Sequence, residues 1–338
     1  MSSYLDYKSD QTPTGWRKIL YLNWPLVFLL TAVASAGFLM LYSVSGGRAE
    51  VWAEPQIERF VVGMIAMIAL AFTPIWFWRS ISVVAYVACV LLLFAVDVFG
   101  HNAMGAQRWL DVGPVKLQPS EITKIALVLV LAAYYDWVDL SKVSRPLWVL
   151  IPVVLILTPT ALVLVQPDLG TSVMLVAGGG IMMFVAGVSL WYFAVVIGAV
   201  GGLVAAVLES RGTSWQLLHD YQYRRVDTFL DPTSDPLGAG YNITQAQIAL
   251  GSGGWSGRGF MQGTQSRLNF LPEKHTDFIF TTLAEEFGFV GTISLLTLYA
   301  LVIGFCLYSA LTNRDRFGSL VTLGIGGTFF LYFAVNMS

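Results

Sequence analysis

Nine apolar stretches recur along this chain, and they limit its fold more than any other feature of the sequence. Most are roughly 16 to 20 residues long, which is enough or nearly enough for a helix to cross the hydrocarbon core of a bilayer. With 56% hydrophobic and only 12% charged residues among 338, the chain carries more apolar surface than a soluble domain of that length could bury. We therefore predict an all-α, polytopic membrane protein. The expected spans are residues 22–42, 60–78, 82–99, 120–135, 147–165, 171–187, 190–208, 278–309 and 318–336.

The distribution of lysine and arginine predicts the orientation of these spans. If the polar segment 1–21 is cytoplasmic, eight Lys and Arg residues fall in cytoplasmic segments and four in short outer loops, as the positive-inside rule requires. Spans 1 to 7 then occupy residues 22–208, a large extracytoplasmic loop covers 209–277, and spans 8 and 9 cover 278–338. Because that loop is the one large polar piece between spans, we expect the working part of the protein there.

Charge and cysteine content exclude some classes of function. A net charge of -2 gives no indication of a nucleic-acid partner. Three histidines and two cysteines leave little material for a metal centre or a disulfide framework. Cys89 and Cys306 both fall within apolar spans, so we interpret them as small buried side chains.

The stretch from Asn269 to Gly291, NFLPEKHTDFIFTTLAEEFGFVG, places a dense group of charges directly before an apolar helix. Pro272 interrupts what precedes, and Thr276 is a suitable N-cap, which would put Asp277 in the first helical turn. The helix dipole stabilises a carboxylate there in its ionised form, so it can act as a base. The alternative is that Asp277 only caps the helix and that residues 273–275 are solvated.

Helical periodicity extends this prediction to a second carboxylate. At 3.6 residues per turn, Asp277 and Glu285 share one face, whereas Glu286 points away. We therefore expect Asp277 and Glu285 to line one cavity. The same face carries Thr281, Ala284 and Gly288.

A second informative loop, HNAMGAQRWLDVGPVKLQPS, covers residues 101–120 on the same outer side. It leads into a helix that begins with Pro119, a favourable first residue. Glu121 and Lys124 are three residues apart and can pair on one face, and ionisable groups just inside a membrane helix often mark a pathway or a site. Two structural alternatives stay open. The ion pair could serve only to lock the helix, and Trp109 could be an interfacial anchor instead of a platform for a lipid or sugar.

The large outer loop combines an amphipathic stretch, a glycine-rich run and several cations. Residues 242–250 have helical spacing and could lie in the headgroup plane. In the run GSGGWSGRGFMQGT that follows, glycines allow the backbone to approach a ligand closely, although such a run alone is a weak signal. A lipid-linked anionic substrate would fit the cations gathered near Asp277. These are Arg224, Arg225, Arg258, Arg267 and Lys274.

Five motifs, in order along the chain, resemble those of the SEDS family of bacterial cell-wall proteins. They are GAQRWLD at 105–111, QPSEITK at 118–124, QPDLGTS at 166–172, DPLGAGYNITQAQIALGSGGWSGRG at 235–259 and LPEKHTDFIF at 271–280. The likeness runs from the first span to the last residue. Within the family, the GAQRWLD and GTQS stretches favour the elongation member over the division member.

This resemblance implies a peptidoglycan glycosyltransferase that polymerises lipid II at the outer face of the bacterial cytoplasmic (inner) membrane. It also implies that Asp277 is the residue essential for polymerisation and that Trp109, Glu121 and Lys124 are functionally important. We add Arg225 and Arg258 from their charge and location.

Partners follow from the same resemblance, and a possible cofactor follows from the pyrophosphate chemistry. The family works with a class B penicillin-binding protein, whose transpeptidase domain cross-links the product, within the elongation machinery and among membrane lipids. A divalent cation, Mg or Mn, bridging the pyrophosphate is an open expectation, because no ligand cluster is visible in the sequence.

The chain departs from the family pattern at its end. Family members continue beyond the asparagine that matches Asn336 with an outer loop and a tenth helix, whereas this sequence stops at Ser338, so we expect a truncated chain. Two other classes of function stay open. A lipid flippase or transporter would need polar groups near the bilayer midplane, and a non-catalytic scaffold would tolerate replacement of Glu121, Lys124 and Asp277.

Overall fold

The computed structural model describes most of the chain, and its helices account for most of those residues. The described residues are 19–20, 22–99, 101–103, 106–112, 115–213, 216–217, 223, 227, 241–264 and 275–337. The helices are α1 (Trp24–Val44), α2 (Ala49–Ala71), α3 (Ile75–Phe99), α4 (Pro119–Trp137), α5 (Pro146–Val165), α6 (Leu169–Val185), α7 (Leu190–Glu209), α8 (Tyr241–Ser252), α9 (Ile279–Thr312) and α10 (Arg316–Met337).

The predicted helical membrane architecture is confirmed. Six of the described helices, namely α1, α3, α5, α7, α9 and α10, are long and apolar enough to cross a membrane. Of the other long helices, α2 and α4 each carry at least three ionisable side chains, and α6 is shorter, with 17 residues. The chain is thus a multi-pass membrane protein, and the count of nine spans stays a prediction.

The bounds predicted for the second span are wrong. α2 begins at Ala49 and ends at Ala71, whereas the sequence analysis placed this span at 60–78. The helix ends there because Pro74 disfavours helical geometry at the residue before it, and the apolar residues after Pro74 belong to α3. Arg59, one of the four basic residues that the predicted spans place in short outer loops, therefore lies within α2.

α4 lies at the centre of the bundle. Every residue from Ala126 to Ala132 is buried, so the helix is covered on all sides. Its neighbours are α3, α5, α6 and α10. This central position explains how Glu121 and Lys124, in its first turn and the next, are brought among the other helices.

The loop before α4 contains a small antiparallel sheet that the sequence analysis did not identify. The strands β1 (His101–Ala103), β2 (Ala106–Val112) and β3 (Val115–Leu117) pair in the order β1-β2-β3. Trp109 on β2 lies opposite His101, and Leu110 lies opposite Leu117. The sheet contacts α3 and α4 through β2, and it lies between the end of α3 and the start of α4 in the chain.

α9 is broken at Gly288. That residue has φ 63° and ψ -157°, a backbone conformation outside the helical region that glycine adopts without penalty. Ile279 and Tyr299 line one cavity of about 270 Å³, although in a straight helix they would lie about 30 Å apart. The segment before Gly288 is therefore folded back toward the segment after it.

The glycine-rich run after α8 closes this break through backbone hydrogen bonds. The N–H groups of Arg258 and Gly259 donate to the carbonyls of Glu285 and Glu286, each at 3.0 Å. In return, the N–H groups of residues 289 and 290 donate to the carbonyls of residues 254 and 255 at 2.9 and 3.1 Å. The backbone groups that a helix break leaves free thus find partners, as a membrane environment requires.

Two glycines make this close approach possible. A Cβ at Gly253 would collide with the carbonyl oxygen of Ala284, and one at Gly257 would collide with that of Glu286. Gly257 also has φ +78°. The glycines therefore allow the backbone of this run to pack directly against α9. This is a structural reason for glycines that were predicted from sequence to approach a ligand.

We expect Gly257→Ala to destabilise the protein more than Gly254→Ala. Both residues have positive φ, which costs an alanine about 1–2 kcal/mol. Only at Gly257 would the new methyl group also meet backbone, which adds about 1–3 kcal/mol. Thermal unfolding in detergent measures the difference. Equal losses for the two variants would contradict the docking of this run on α9.

Candidate active site

Asp277 lies in a turn that precedes α9. The helix begins at Ile279, and the first carbonyl to accept a helical hydrogen bond is that of Phe278, which receives the Thr282 N–H at 3.1 Å. Phe278 is therefore the N-cap, and its own side chain makes no capping hydrogen bond. The prediction that Thr276 is the N-cap and that Asp277 lies in the first turn is wrong by two residues. Asp277 still lies next to the positive end of the helix dipole.

An exposed Asp277 lines a cavity of about 270 Å³ between α1, α9 and α10. The wall is mostly apolar, with Asp277, Thr276 and Asn336 among its polar groups. Such a cavity suits a molecule that combines a polar head with an apolar tail. The lining residues are Val33, Ala36, Gly37, Met40, Thr276, Asp277, Ile279, Phe280, Leu283, Leu295, Tyr299, Asn336 and Met337.

Glu285 does not line this cavity with Asp277, so that prediction is wrong. Glu285 is fully buried, and its Oε1 accepts hydrogen bonds from the backbone N–H of Thr264 at 2.7 Å and from its hydroxyl at 3.0 Å. Asp277 precedes the helix, so helical spacing does not relate the two residues. Glu285 instead fastens the end of the glycine-rich segment to α9.

Glu286 joins α9 to α1. It is 1% exposed, and its Oε1 accepts a hydrogen bond of 2.5 Å from the hydroxyl of Ser43. This bond lies one turn of α1 beyond Met40, which lines the cavity of Asp277. Sequence reasoning missed Ser43, because a contact between residues 243 positions apart leaves no local pattern.

The turn between α1 and α2 contacts the segments around Asp277 at further points. We call residues 42–52 the α1–α2 corner. Within it, Tyr42 stacks on Phe260 with ring centroids 6.4 Å apart, and Trp52 stacks on His275 at 4.1 Å. The α1–α2 corner therefore touches both the glycine-rich segment and the turn that carries Asp277.

Glu121 and Lys124 form the predicted ion pair. Lys124 Nζ donates to Glu121 Oε1 at 2.8 Å, and the Lys124 side chain is 6% exposed. Tyr332 of α10 completes the group: its hydroxyl donates to Glu121 Oε2 at 2.6 Å, and its ring lies 4.3 Å from Lys124 Nζ. All three residues line a second cavity, of about 220 Å³. Tyr332 was not identified from sequence.

Residues near the C-terminal end of α10 line both cavities. Tyr332 contacts Glu121 and Lys124, while Asn336, one turn later, lines the cavity of Asp277. The side-chain amide of Asn336 donates to the carbonyl of Tyr332 at 3.0 Å. The structure therefore brings the ionisable groups of two distant motifs to the same end of one helix.

Of the remaining candidate residues, the structure describes Arg258 and Trp109 but not Arg225. Arg258 is exposed, and its Nη1 donates to the hydroxyl of Thr264 at 3.1 Å, next to the Glu285 contact. Trp109 is half-buried on β2. Arg225 lies outside the described residues, as do three other predicted cations. Those are Arg224, Arg267 and Lys274.

The described part of the chain contains no group of three or more His, Cys, Asp or Glu side chains arranged to hold a metal ion. The buried carboxylates Glu285 and Glu286 bind protein donors, Thr264 and Ser43.

We expect Ser43→Ala to lower stability by about 1–3 kcal/mol. The substitution removes a donor from a buried carboxylate, and an unsatisfied buried acceptor has a cost of that order. Ser35→Ala is the matched control, because the Ser35 hydroxyl bonds only a carbonyl of its own helix, and we expect a change below about 0.5 kcal/mol. Thermal unfolding of both variants in detergent checks this. A Ser43→Ala protein as stable as the control would show that the bond to Glu286 contributes nothing.

Comparison with known proteins identifies relatives over nearly the whole chain. The FtsW/RodA/SpoVE family model, described as "Cell cycle protein", matches residues 23–338. The peptidoglycan glycosyltransferase MrdB of Escherichia coli strain K12 is 42% identical over 325 residues, which cover 96% of this chain and 85% of the relative.

Two solved structures share the fold. A peptidoglycan synthase complex, described as coordinating polymerization and crosslinking, contains a chain that aligns with a TM-score of 0.78 and 30% identity, over 93% of this chain and 86% of its own length. The crystal structure of the rod shape determining protein RodA of Thermus thermophilus aligns with a TM-score of 0.66 and 27% identity, over 93% of this chain and 84% of its own length.

Proposed function

Because this chain belongs to the FtsW/RodA/SpoVE family of cell cycle proteins, we propose that it is a peptidoglycan glycosyltransferase that polymerises lipid II into glycan strands during cell elongation. The observation that carries the proposal is the position of Asp277. An exposed carboxylate lies at the wall of a cavity between membrane helices, where a lipid-linked sugar can reach it. The 42% identity to a named peptidoglycan glycosyltransferase supports the reaction class.

In the proposed reaction Asp277 is the general base. Its carboxylate takes the proton from the 4-hydroxyl of one lipid-linked sugar as that oxygen attacks the anomeric carbon of another. The new carbon–oxygen bond forms while the bond from that carbon to the pyrophosphate breaks, and its electron pair leaves with the lipid pyrophosphate. Attack opposite the leaving group inverts the centre and converts an α-linked donor into a β-1,4 glycan.

One carboxylate is sufficient for this chemistry. Most glycosidases need a second carboxyl group to protonate the leaving oxygen, but a pyrophosphate leaves as an anion. Positively charged side chains that stabilise the leaving pyrophosphate then take the place of the second carboxyl group. Lys124, at the wall of the second cavity, and Arg258, exposed beside Thr264, would supply it. Arg225 and a stacking role of Trp109 remain predictions.

We propose that any divalent cation arrives with the substrate. The described side chains form no cluster that would hold Mg or Mn. A pyrophosphate carries oxygen ligands of the kind these ions prefer. The chain's own residues would then bind and orient the complexed lipid without a resident metal.

The proposed location is the bacterial cytoplasmic membrane, with Asp277 toward the outer side. The lysine and arginine distribution supports this orientation. A class B penicillin-binding protein is the proposed partner, because the structural neighbour is a complex that couples polymerization to crosslinking. The elongation machinery and membrane lipids complete the proposed surroundings.

We expect Asp277→Asn to abolish polymerisation while the protein still folds and binds its partner. The amide has nearly the same shape but cannot take a proton, and loss of a general base lowers the rate by roughly 10²–10⁴-fold. The measurement is the length distribution of glycan made from lipid II by the chain purified with its penicillin-binding partner. Asp139→Asn is the matched control, since Asp139 is an exposed residue that pairs with Lys142 after the end of α4.

The outcomes separate the candidate functions. Polymer from Asp277→Asn at the rate of the original protein would exclude Asp277 as base. If the original protein makes no polymer although its partner cross-links added glycan, the glycosyltransferase proposal fails. Flipping of lipid II in vesicles would then favour the transporter, and its absence would favour the scaffold.

A further inference from the structure

The stacked pair of Trp52 and His275 connects α2 to the turn that carries Asp277. Their ring centroids are 4.1 Å apart and the ring planes meet at 20°, which is close, nearly parallel stacking. Trp52 lies in the first turn of α2, a helix that packs against α1. His275 therefore contacts a helix from a distant part of the sequence.

The turn lies before α9, so the helix geometry does not fix its conformation. The side chain of the N-cap Phe278 makes no capping hydrogen bond, and Asp277 precedes it with an exposed side chain. His275 is two residues from Asp277, so their Cα atoms lie within about 8 Å. A fixed His275 ring thus restricts where the Asp277 carboxylate can lie.

Other residues of the α1–α2 corner contact the segments on either side of this turn. Ser43 binds Glu286, in the helical segment that follows Asp277, and Tyr42 stacks on Phe260 of the glycine-rich segment. Asp277 is therefore flanked on its C-terminal side by the contact to Ser43 and on its N-terminal side by the contact to Trp52. Both contacts come from the same corner.

We propose that Trp52 is a positioning residue that holds the His275–Asp277 turn by ring stacking, so that the Asp277 carboxylate faces the substrate cavity. The proposal rests on the proposed function, because it concerns the geometry of the same base. Trp52 touches neither substrate nor reacting atoms. It acts through His275, and a displacement of the base by about 1 Å can lower a rate by 10²-fold.

The test is the kinetics of lipid II polymerisation by the complex with the penicillin-binding partner. We expect Trp52→Ala to lower kcat by about 10- to 100-fold with KM within about twofold, since the cavity itself is unchanged. Trp52→Phe keeps a stacking ring, and we expect it to stay within about threefold of the original kcat. Trp191→Ala is the matched control, because Trp191 is 72% exposed at the start of α7.

A double-mutant cycle distinguishes stacking from membrane anchoring. If Trp52 acts through His275, then His275→Ala is as impaired as Trp52→Ala, and the double variant is no slower than the slower single variant. His275→Phe, which retains a ring but has no titratable group, keeps most of the activity. If Trp52 only anchors the protein at the membrane interface, the two losses multiply and the proposal is overturned.

Further results would also overturn the proposal. They are unchanged kcat in Trp52→Ala, equal losses in Trp52→Phe and Trp52→Ala, and a loss in His275→Phe as large as in His275→Ala. If thermal unfolding shows that Trp52→Ala is not folded, the activities of His275→Ala and His275→Phe test the proposal instead. Failure of the proposed function is distinguishable, because the original protein would then make no polymer, whereas failure of this inference leaves polymerisation and its dependence on Asp277 intact.

Discussion

The backbone break at Gly288 is the constraint on which the rest of the site depends. A helix interrupted among membrane helices leaves carbonyl and N–H groups without partners, and water is scarce there to satisfy them. The glycine-rich segment after α8 supplies those partners through four backbone hydrogen bonds. The break therefore requires the segment to be nearby, and the segment requires glycines because a side chain at Gly253 or Gly257 would collide with α9.

That break gives Asp277 its position. A continuous helix would carry the residues before Gly288 away from Tyr299, whereas the folded-back segment returns Asp277 to a cavity that Tyr299 also lines. The two buried carboxylates that precede Gly288 accept hydrogen bonds from other segments: Glu285 from Thr264, and Glu286 from Ser43. Glu285 thus fastens the glycine-rich segment to α9 and Glu286 joins α9 to α1, whereas Asp277 is exposed at the cavity.

The ion pair of Glu121 and Lys124 shows which contacts local spacing predicts and which contacts only long-range packing determines. Spacing of three residues predicted the pair correctly. The third member, Tyr332, comes from the last helix and has no signal near the pair in sequence. For Asp277, capping preferences placed the N-cap two residues too early, and helix periodicity predicted the wrong relation to Glu285. Periodicity describes residues within one continuous helix, and Asp277 precedes the helix.

Apolar run length was enough to predict the helical membrane architecture, because this architecture follows from the cost of burying polar groups in lipid. The orientation and the large outer loop, which rest on the charge distribution, stay predictions. Motif resemblance predicted the family and the residue proposed as base. Apolar run length did not predict the bounds of α2 or the sheet at 101–117, although both form from residues close together in the chain. The docking of the glycine-rich run and the contacts of Ser43, Trp52 and Tyr332 came from packing. These contacts join residues far apart in the chain, and their free energy comes from surfaces that meet only when the helices assemble.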